Sequence, residues 1–221
     1  MQYFTEDFVA FFEELSKNNH KEWFHENRKR YEGSVKKPFE IFVGTMIEKI
    51  REQDSSLDVV PKDCVLRINR DIRFSKDKSP YNLHYTAFIS KGGRKDKSIP
   101  GLFLRFSPEM IGIMGGCFGP SKEQLHKIRM AVKKSPKEFK KLLDNKDFVQ
   151  KFGEIRGDKM KRIPKEWQEA CKKEPLIANK QFYFVGEEAP DLIHSQVLAE
   201  EIIKYWEIMR PVNDYLSKVI Q

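Results

Sequence analysis

The chain has 221 residues, 39% of them hydrophobic and 33% charged, with a net charge of +8. Its length lets it bury roughly 70% of its unfolded surface, and its 17 phenylalanines supply a core, which excludes wholesale disorder and any need for disulfide or metal staples. The positive surplus favours anionic partners such as phosphates, nucleic acid or acidic lipid, and no apolar run approaches the roughly 20 residues of a membrane span.

Phe4, Phe8, Phe11, Phe12 and Leu15 recur at helical spacing, which predicts a first helix with Thr5 as N-cap and Glu6 and Asp7 in its positive first turn. Early acids and the lack of a basic n-region argue against a signal peptide. Asn18-Asn19 breaks the pattern. Asn19-His20-Lys21-Glu22 approximates a capping box ahead of a second helix carrying Trp23, Phe24, Asn27 and Tyr31, aromatics that extend a core stripe rather than offer a stacking platform. A third helix starts near Pro38 with the stripe Phe39, Phe42, Val43, Met46, Ile47 and Ile50, so residues 1–52 read as a helical block.

Residues 64–118 read as mainly β. Cys64 to Ile68 is a short strand by its apolar run, and Tyr85 to Lys91 alternates before the polar loop GGRKDKS. Gly101 to Phe106 and Met110 to Met114 pair across Ser107-Pro108-Glu109. Such short links imply an antiparallel sheet rather than βαβ units. From 121 to 220 the chain returns to helix. Ser121-Lys122-Glu123-Gln124 is a capping box ahead of Leu125, Ile128, Met130 and Val132, and Ser135-Pro136 opens another helix. Gln181 to Val185 can add an edge strand, and Leu192 to Met209 reads as a long helix stopped by Pro211. With no repeat or linker, residues 1–221 read as one α+β domain, a central antiparallel sheet flanked by N-terminal and C-terminal helical blocks.

The segment with the densest chemistry is RINRDIRFSKDKSPYNLHY, Arg67 to Tyr85. Arg67, Arg70 and Arg73 fall three apart, and with Lys76 and Lys78 they outnumber Asp71 and Asp77 by five to two. Interleaved Ile68, Ile72 and Phe74 are expected to pin the backbone to the core. Guanidinium forks match carboxylate or phosphate oxygens two at a time, and Ser75, Ser79 and Tyr81 add neutral donors, so the segment suits an anionic ligand. The competing reading is a salt-bridge clamp in which Asp71 and Asp77 hold the arginines.

These residues resemble the domain-of-unknown-function 2461 family, mainly bacterial proteins of about this length. The resemblance rests on Arg67-Ile68-Asn69-Arg70-Asp71-Ile72-Arg73-Phe74-Ser75-Lys76-Asp77-Lys78-Ser79-Pro80-Tyr81. Asn19-His20-Lys21-Glu22-Trp23-Phe24, Gly115-Gly116 and Lys161-Arg162-Ile163-Pro164 support it. Asn82 and Leu83 stand where similar proteins often carry Lys and Thr, and Cys117 and Glu166 stand where glycine is usual. The resemblance implies a domain extent and a motif, with no catalytic activity attached.

Other features carry less. Gly115-Gly116-Cys117-Phe118-Gly119-Pro120-Ser121 leads into a helix N-terminus, where amides can meet an anion, but it is not a Walker A loop. His84 is the best acid–base candidate among five histidines, with Asp71 second. Glu187, Glu188 and Asp191 read as an acidic turn rather than a metal site. Cys64, Cys117 and Cys171 contain no CxxC pair, which predicts three free thiols in a reduced, cytoplasmic protein and neither zinc nor another cofactor. The leading expectation is a binding protein for a phosphorylated or other anionic small molecule. An enzyme acting on a phosphorylated metabolite is the second reading, and a nucleic-acid-binding module the third.

Overall fold

A computed structural model describes residues 1–221 as helices around a four-stranded antiparallel sheet, an α+β architecture. Helix α1 (Asp7–Lys17) buries Phe8, Phe11, Phe12 and Leu15 on one face. Its N-cap is Glu6 rather than Thr5, with no side-chain cap. Its acids are held instead by a long-range partner, since the Arg30 guanidinium donates to Asp7 (2.6 Å) and Glu14 (2.8 Å). Helix α2 (Lys21–Glu26) is capped by the His20 ring, which accepts from the Trp23 amide at 3.4 Å, so the cap lies one residue beyond Asn19.

Helix α3 (Arg28–Arg30), a π-helical stretch (Tyr31–Lys36) and helix α4 (Lys37–Gln53) follow one another without a break in helical backbone. Phe39, Phe42, Val43, Met46, Ile47 and Ile50 of α4 are all buried, as their spacing requires. Helix α5 (Pro61–Cys64) replaces the start of the strand expected at Cys64. Pro61 opens that turn with its φ already set for helix, so the chain is extended only from Val65, which makes one isolated bridge to Ala87.

Strands β1 (Tyr85–Ile89), β2 (Leu102–Phe106), β3 (Ile111–Cys117) and β4 (Phe182–Glu188) lie in that order, every pair antiparallel. Tyr85 opposes Phe106, Phe103 opposes Met114, and Met114 opposes Val185. The Gln181–Val185 run thus becomes an edge strand beside β3. Leu102, Leu104 and Phe106 alternate with half-buried Phe103 and Arg105, so one face of β2 is core and the other is half open. The rings of Phe4, Phe39 and Phe42 surround Phe106 at 5.3–5.6 Å between centroids, in edge and tilted arrangements.

Helices α6 (Lys122–Lys134), α7 (Pro136–Leu143), α8 (Lys146–Phe152) and α9 (Lys165–Lys173) separate β3 from β4. Ser121 and Gln124 form the capping box of α6. Ile128 and Val132 are buried there, whereas Met130, on the far side of the helix, is 47% exposed. Helix α10 (Leu198–Ile220) starts later than Leu192, which lies in a 3-10 turn (Pro190–His194), and runs through Pro211 instead of stopping. Met209, Val212, Leu216 and Ile220 are buried on both sides of that proline, and their burial outweighs its roughly 3 kcal/mol helix penalty. One contiguous core of 49 buried residues runs from Phe4 to Ile220. Cys64, Cys117 and Cys171 are all free, and no helix is long and apolar enough to cross a membrane.

Candidate functional site

Residues 65–87 form a ragged antiparallel hairpin whose second arm runs into β1. The Leu66 amide donates to Thr86, the Arg70 amide to Pro80, and the Asn82 amide to Ile68, at 2.8–2.9 Å. Ile68 is buried and Ile72 half-buried, but Phe74 is 94% exposed at the tip and anchors nothing. The Arg73 guanidinium carbon lies 5.8 Å from the Phe74 ring centre.

The tip is tied by its own charges. Arg70 pairs with Asp77 and also donates to the Ser79 carbonyl. Arg73 donates twice to Asp71, at 2.9 and 2.7 Å. Asp77 accepts from both the amide and the hydroxyl of Ser79, and Lys78 donates to the Ile72 carbonyl at 2.9 Å. Hydrogen bonds from Arg73 hold the Asp71 carboxyl down at about 2, so it is a weak base at neutral pH. Those from Ser79, then Arg70, depress Asp77 further. Lys76 is exposed, and the amide of half-buried Ser75 donates to Ile72.

Arg67 behaves differently. It is exposed, has no carboxylate within 4.0 Å, and faces an open trough of about 1440 Å³. Asp71, Tyr81 and His84 share that trough, while Arg70, Arg73, Ser75, Lys76, Lys78 and Ser79 do not line it. The trough is walled by segments far apart in sequence. Lys21 and Arg28 come from the α2–α3 region, Lys36 from the π-helical stretch, and Lys62 from α5. Arg94, Lys95 and Lys97 come from the loop between β1 and β2. Arg94 is anchored by donating to the carbonyls of Lys62 and Val65, which leaves its charge uncompensated. Of these eight cations only Arg28 meets a carboxylate, that of Glu32 at 3.1 Å.

Aromatic rings line the rest. Tyr31 and Tyr85 are buried and joined by a 3.0 Å hydroxyl–hydroxyl bond, and Phe24 stacks on Tyr81 at 4.0 Å. Tyr31 is core, as expected, whereas Trp23 and Phe24 are only partly buried. Phe103 lines the trough from the open face of the sheet. Sequence reasoning missed the cations outside the hairpin, because nothing local joins Lys21 to Lys97. The only hint was the basic GGRKDKS loop, read as mere polarity.

His84 sits in the trough with its imidazole pushed down to about 4, chiefly by burial and then by the charge of Arg105. Against the ordinary 6.5, the unfolded chain binds a proton that the folded chain refuses between those limits. Stability therefore rises with pH across that window and is lost as pH falls through it. Acidifying from pH 7 to about 4.5 is expected to remove about 1–2 kcal/mol through His84, allowing for its partial exposure. Urea unfolding across that range should show a shallower slope for His84→Gln. An unchanged slope would place the imidazole in water.

The remaining sequence candidates lie elsewhere. The loop Gly115 to Ser121 does not line the trough, and a Cβ on Gly115 would stand 2.5 Å from the Phe184 ring. Those glycines admit close packing. Glu188 accepts from Tyr205 (2.6 Å) and Lys151 (3.0 Å), so it is committed to structure.

Searches of curated proteins and of solved structures returned no match. A family profile described as "Conserved hypothetical protein (DUF2461)" matches residues 7–215, an interval holding every wall of the trough, and the chain belongs to that DUF2461 family.

Proposed function

We propose that this protein binds a phosphorylated or otherwise anionic ligand in the trough, with Arg67 at its centre. The observation that carries this reading is the surplus of cations. Seven of the eight that line the trough have no carboxylate within 4.0 Å, although the chain forms ion pairs elsewhere. Glu22, Glu32, Glu40 and Asp71 line the same trough, so its eight cations leave a surplus of four positive charges, and such a surplus in a concave site raises the local concentration of anions. The π-helical stretch supports the reading as well. It sets Tyr31, Glu32 and Lys36 on the trough wall, and such stretches recur at functional sites. The hairpin tip acts as a brace: its two aspartates occupy Arg70 and Arg73 and keep the backbone beneath Arg67 in shape.

Arg67→Ala is expected to weaken binding of sulfate or of a phosphorylated-metabolite panel about tenfold, one lost charge-assisted contact at an exposed site. Its melting temperature should stay within about a degree of wild type, since surface changes free of partners move stability little. Lys76→Ala, outside the trough, should bind as wild type does. Calorimetric titration at fixed salt checks both. Wild type with no affinity for any of these anions would sink the proposal.

A further inference from the structure

Resting on that reading, we infer that the natural occupant of the trough is a single-stranded nucleic-acid segment. Size speaks first. A volume of about 1440 Å³ exceeds the roughly 300–1,000 Å³ typical of small-molecule pockets, so a compact phosphate ester would leave most of it empty. Charge distribution speaks second. The unpaired cations come from five separate parts of the chain and line one trough. They are dealt out over the α2–α3 region, the π-helical stretch, α5, the hairpin and the β1–β2 loop, which suits a backbone bearing a phosphate at every unit.

The third observation separates nucleic acid from other polyanions. Half-buried Phe103 lines the trough, 6.3 Å from Phe88, and half-buried Phe24, stacked on Tyr81, lines it as well. Arg105, two residues beyond Phe103 on the same face of β2, does not line the trough but holds its Nε buried without an acceptor beside that wall. Neutral His84 adds a flat ring that carries no charge at physiological pH. Aromatic faces interleaved with cations are what unstacked bases on a phosphate backbone require. A duplex keeps its base faces stacked inside and could not use them, so the occupant is single-stranded. The donor set reads the phosphate and base chemistry common to DNA and RNA.

The test is fluorescence anisotropy with the full chain, at low fixed salt and then along a salt series. The probes are labelled 12-nucleotide oligodeoxyuridylate and oligouridylate, which differ only in the sugar, a 12-base-pair duplex, and inorganic polyphosphate as competitor. Both single strands should bind at least tenfold tighter than the duplex, and a difference between them reveals which sugar is preferred. The logarithm of the binding constant should fall linearly with that of salt, and Arg67→Ala should reduce the slope by about 0.7, one phosphate's share. Phe103→Leu, which keeps an apolar side chain but removes the π-face, and Phe103→Ala should each weaken the oligonucleotides about fivefold or more while leaving polyphosphate competition unchanged. Equal affinity for duplex, or Phe103 variants without effect on oligonucleotides, overturns this inference. Sulfate or phosphorylated metabolites binding in an Arg67-dependent way without any oligonucleotide affinity does the same, and leaves the anion-binding reading standing. No Arg67-dependent binding of any probe removes both.

Discussion

Gly116→Ala is expected to destabilise the protein by about 3–5 kcal/mol. Gly116 sits near the end of β3 at φ +90, in the left-handed region that side chains rarely adopt. A Cβ there would overlap the Phe182 carbonyl oxygen and stand 2.8 Å from the Tyr183 Cα, both in the backbone of β4. The neighbouring strand cannot swing away as a flexible side chain would. The Gly116 amide also donates to the buried Asn213 Oδ1 at 2.8 Å, and Asn213 in turn donates to the Gly101 carbonyl at 3.3 Å. Alanine therefore adds backbone strain of about 1–3 kcal/mol to overpacking of similar size, and pulls on a bond that ties α10 to the sheet. Gly33, in the π-helical stretch, serves as the internal control. A Cβ there meets nothing within 4 Å, so Gly33→Ala should change stability by well under 1 kcal/mol or raise it slightly. Urea unfolding midpoints of the two variants check the contrast. A Gly116→Ala protein within 1 kcal/mol of wild type would mean that the β3–β4 pairing yields easily.

The same contrast explains what the sequence disclosed. Local rules with one clear winner were legible. The α4 stripe from Phe39 to Ile50 is buried along its whole length, and the Ser121–Gln124 capping box needs only four consecutive residues. β1, β2 and β3 followed from alternation and short turns. Legibility ended where distant packing overrode a local preference. Pro211 looks like a stop, but the buried residues on either side hold α10 through it. Thr5 looks like a cap, but the N-cap position falls on Glu6 with no side-chain cap, and the acid Asp7 is held by Arg30, 23 residues further on. The site shows the effect most strongly. Arg67 was visible as part of a dense basic motif, yet most of that motif's cations are answered within the hairpin by Asp71, Asp77 and a carbonyl. The unanswered charges come from Lys21 to Lys97 and meet only through the topology, so no window of sequence could contain them.

Asn19→Ala is expected to lower stability by about 2–3 kcal/mol and to weaken the anion binding proposed for the trough, although Asn19 does not line it. Its amide nitrogen donates to the Tyr81 carbonyl at 3.0 Å, and its amide oxygen accepts from the Tyr81 N–H at 3.1 Å. The need for this bridge follows from the hairpin register. Asn69 and Tyr81 face each other as an isolated antiparallel pair, and the hairpin's own bonds run from Arg70 to Pro80 and from Asn82 to Ile68. Both polar groups of Tyr81 therefore point outward, and one side chain satisfies them as a neighbouring strand would. Alanine leaves a donor and an acceptor unpaired beside a buried residue, at about 1–3 kcal/mol apiece before water relieves part of the cost. Asn19→Asp keeps an acceptor for the Tyr81 amide but sets a carboxylate against the carbonyl, so it should not rescue stability. The functional consequence travels along the same path. Tyr81 stacks on Phe24 at 4.0 Å and stands three residues from His84, so loosening its backbone loosens the wall that carries Arg67. Urea unfolding and anion titration of Asn19→Ala should therefore move together, whereas Arg67→Ala moves the titration alone. Wild-type stability in Asn19→Ala would mean that solvent replaces both bonds, and that the hairpin is held by Ile68 and the Phe24–Tyr81 stack without help from the amide.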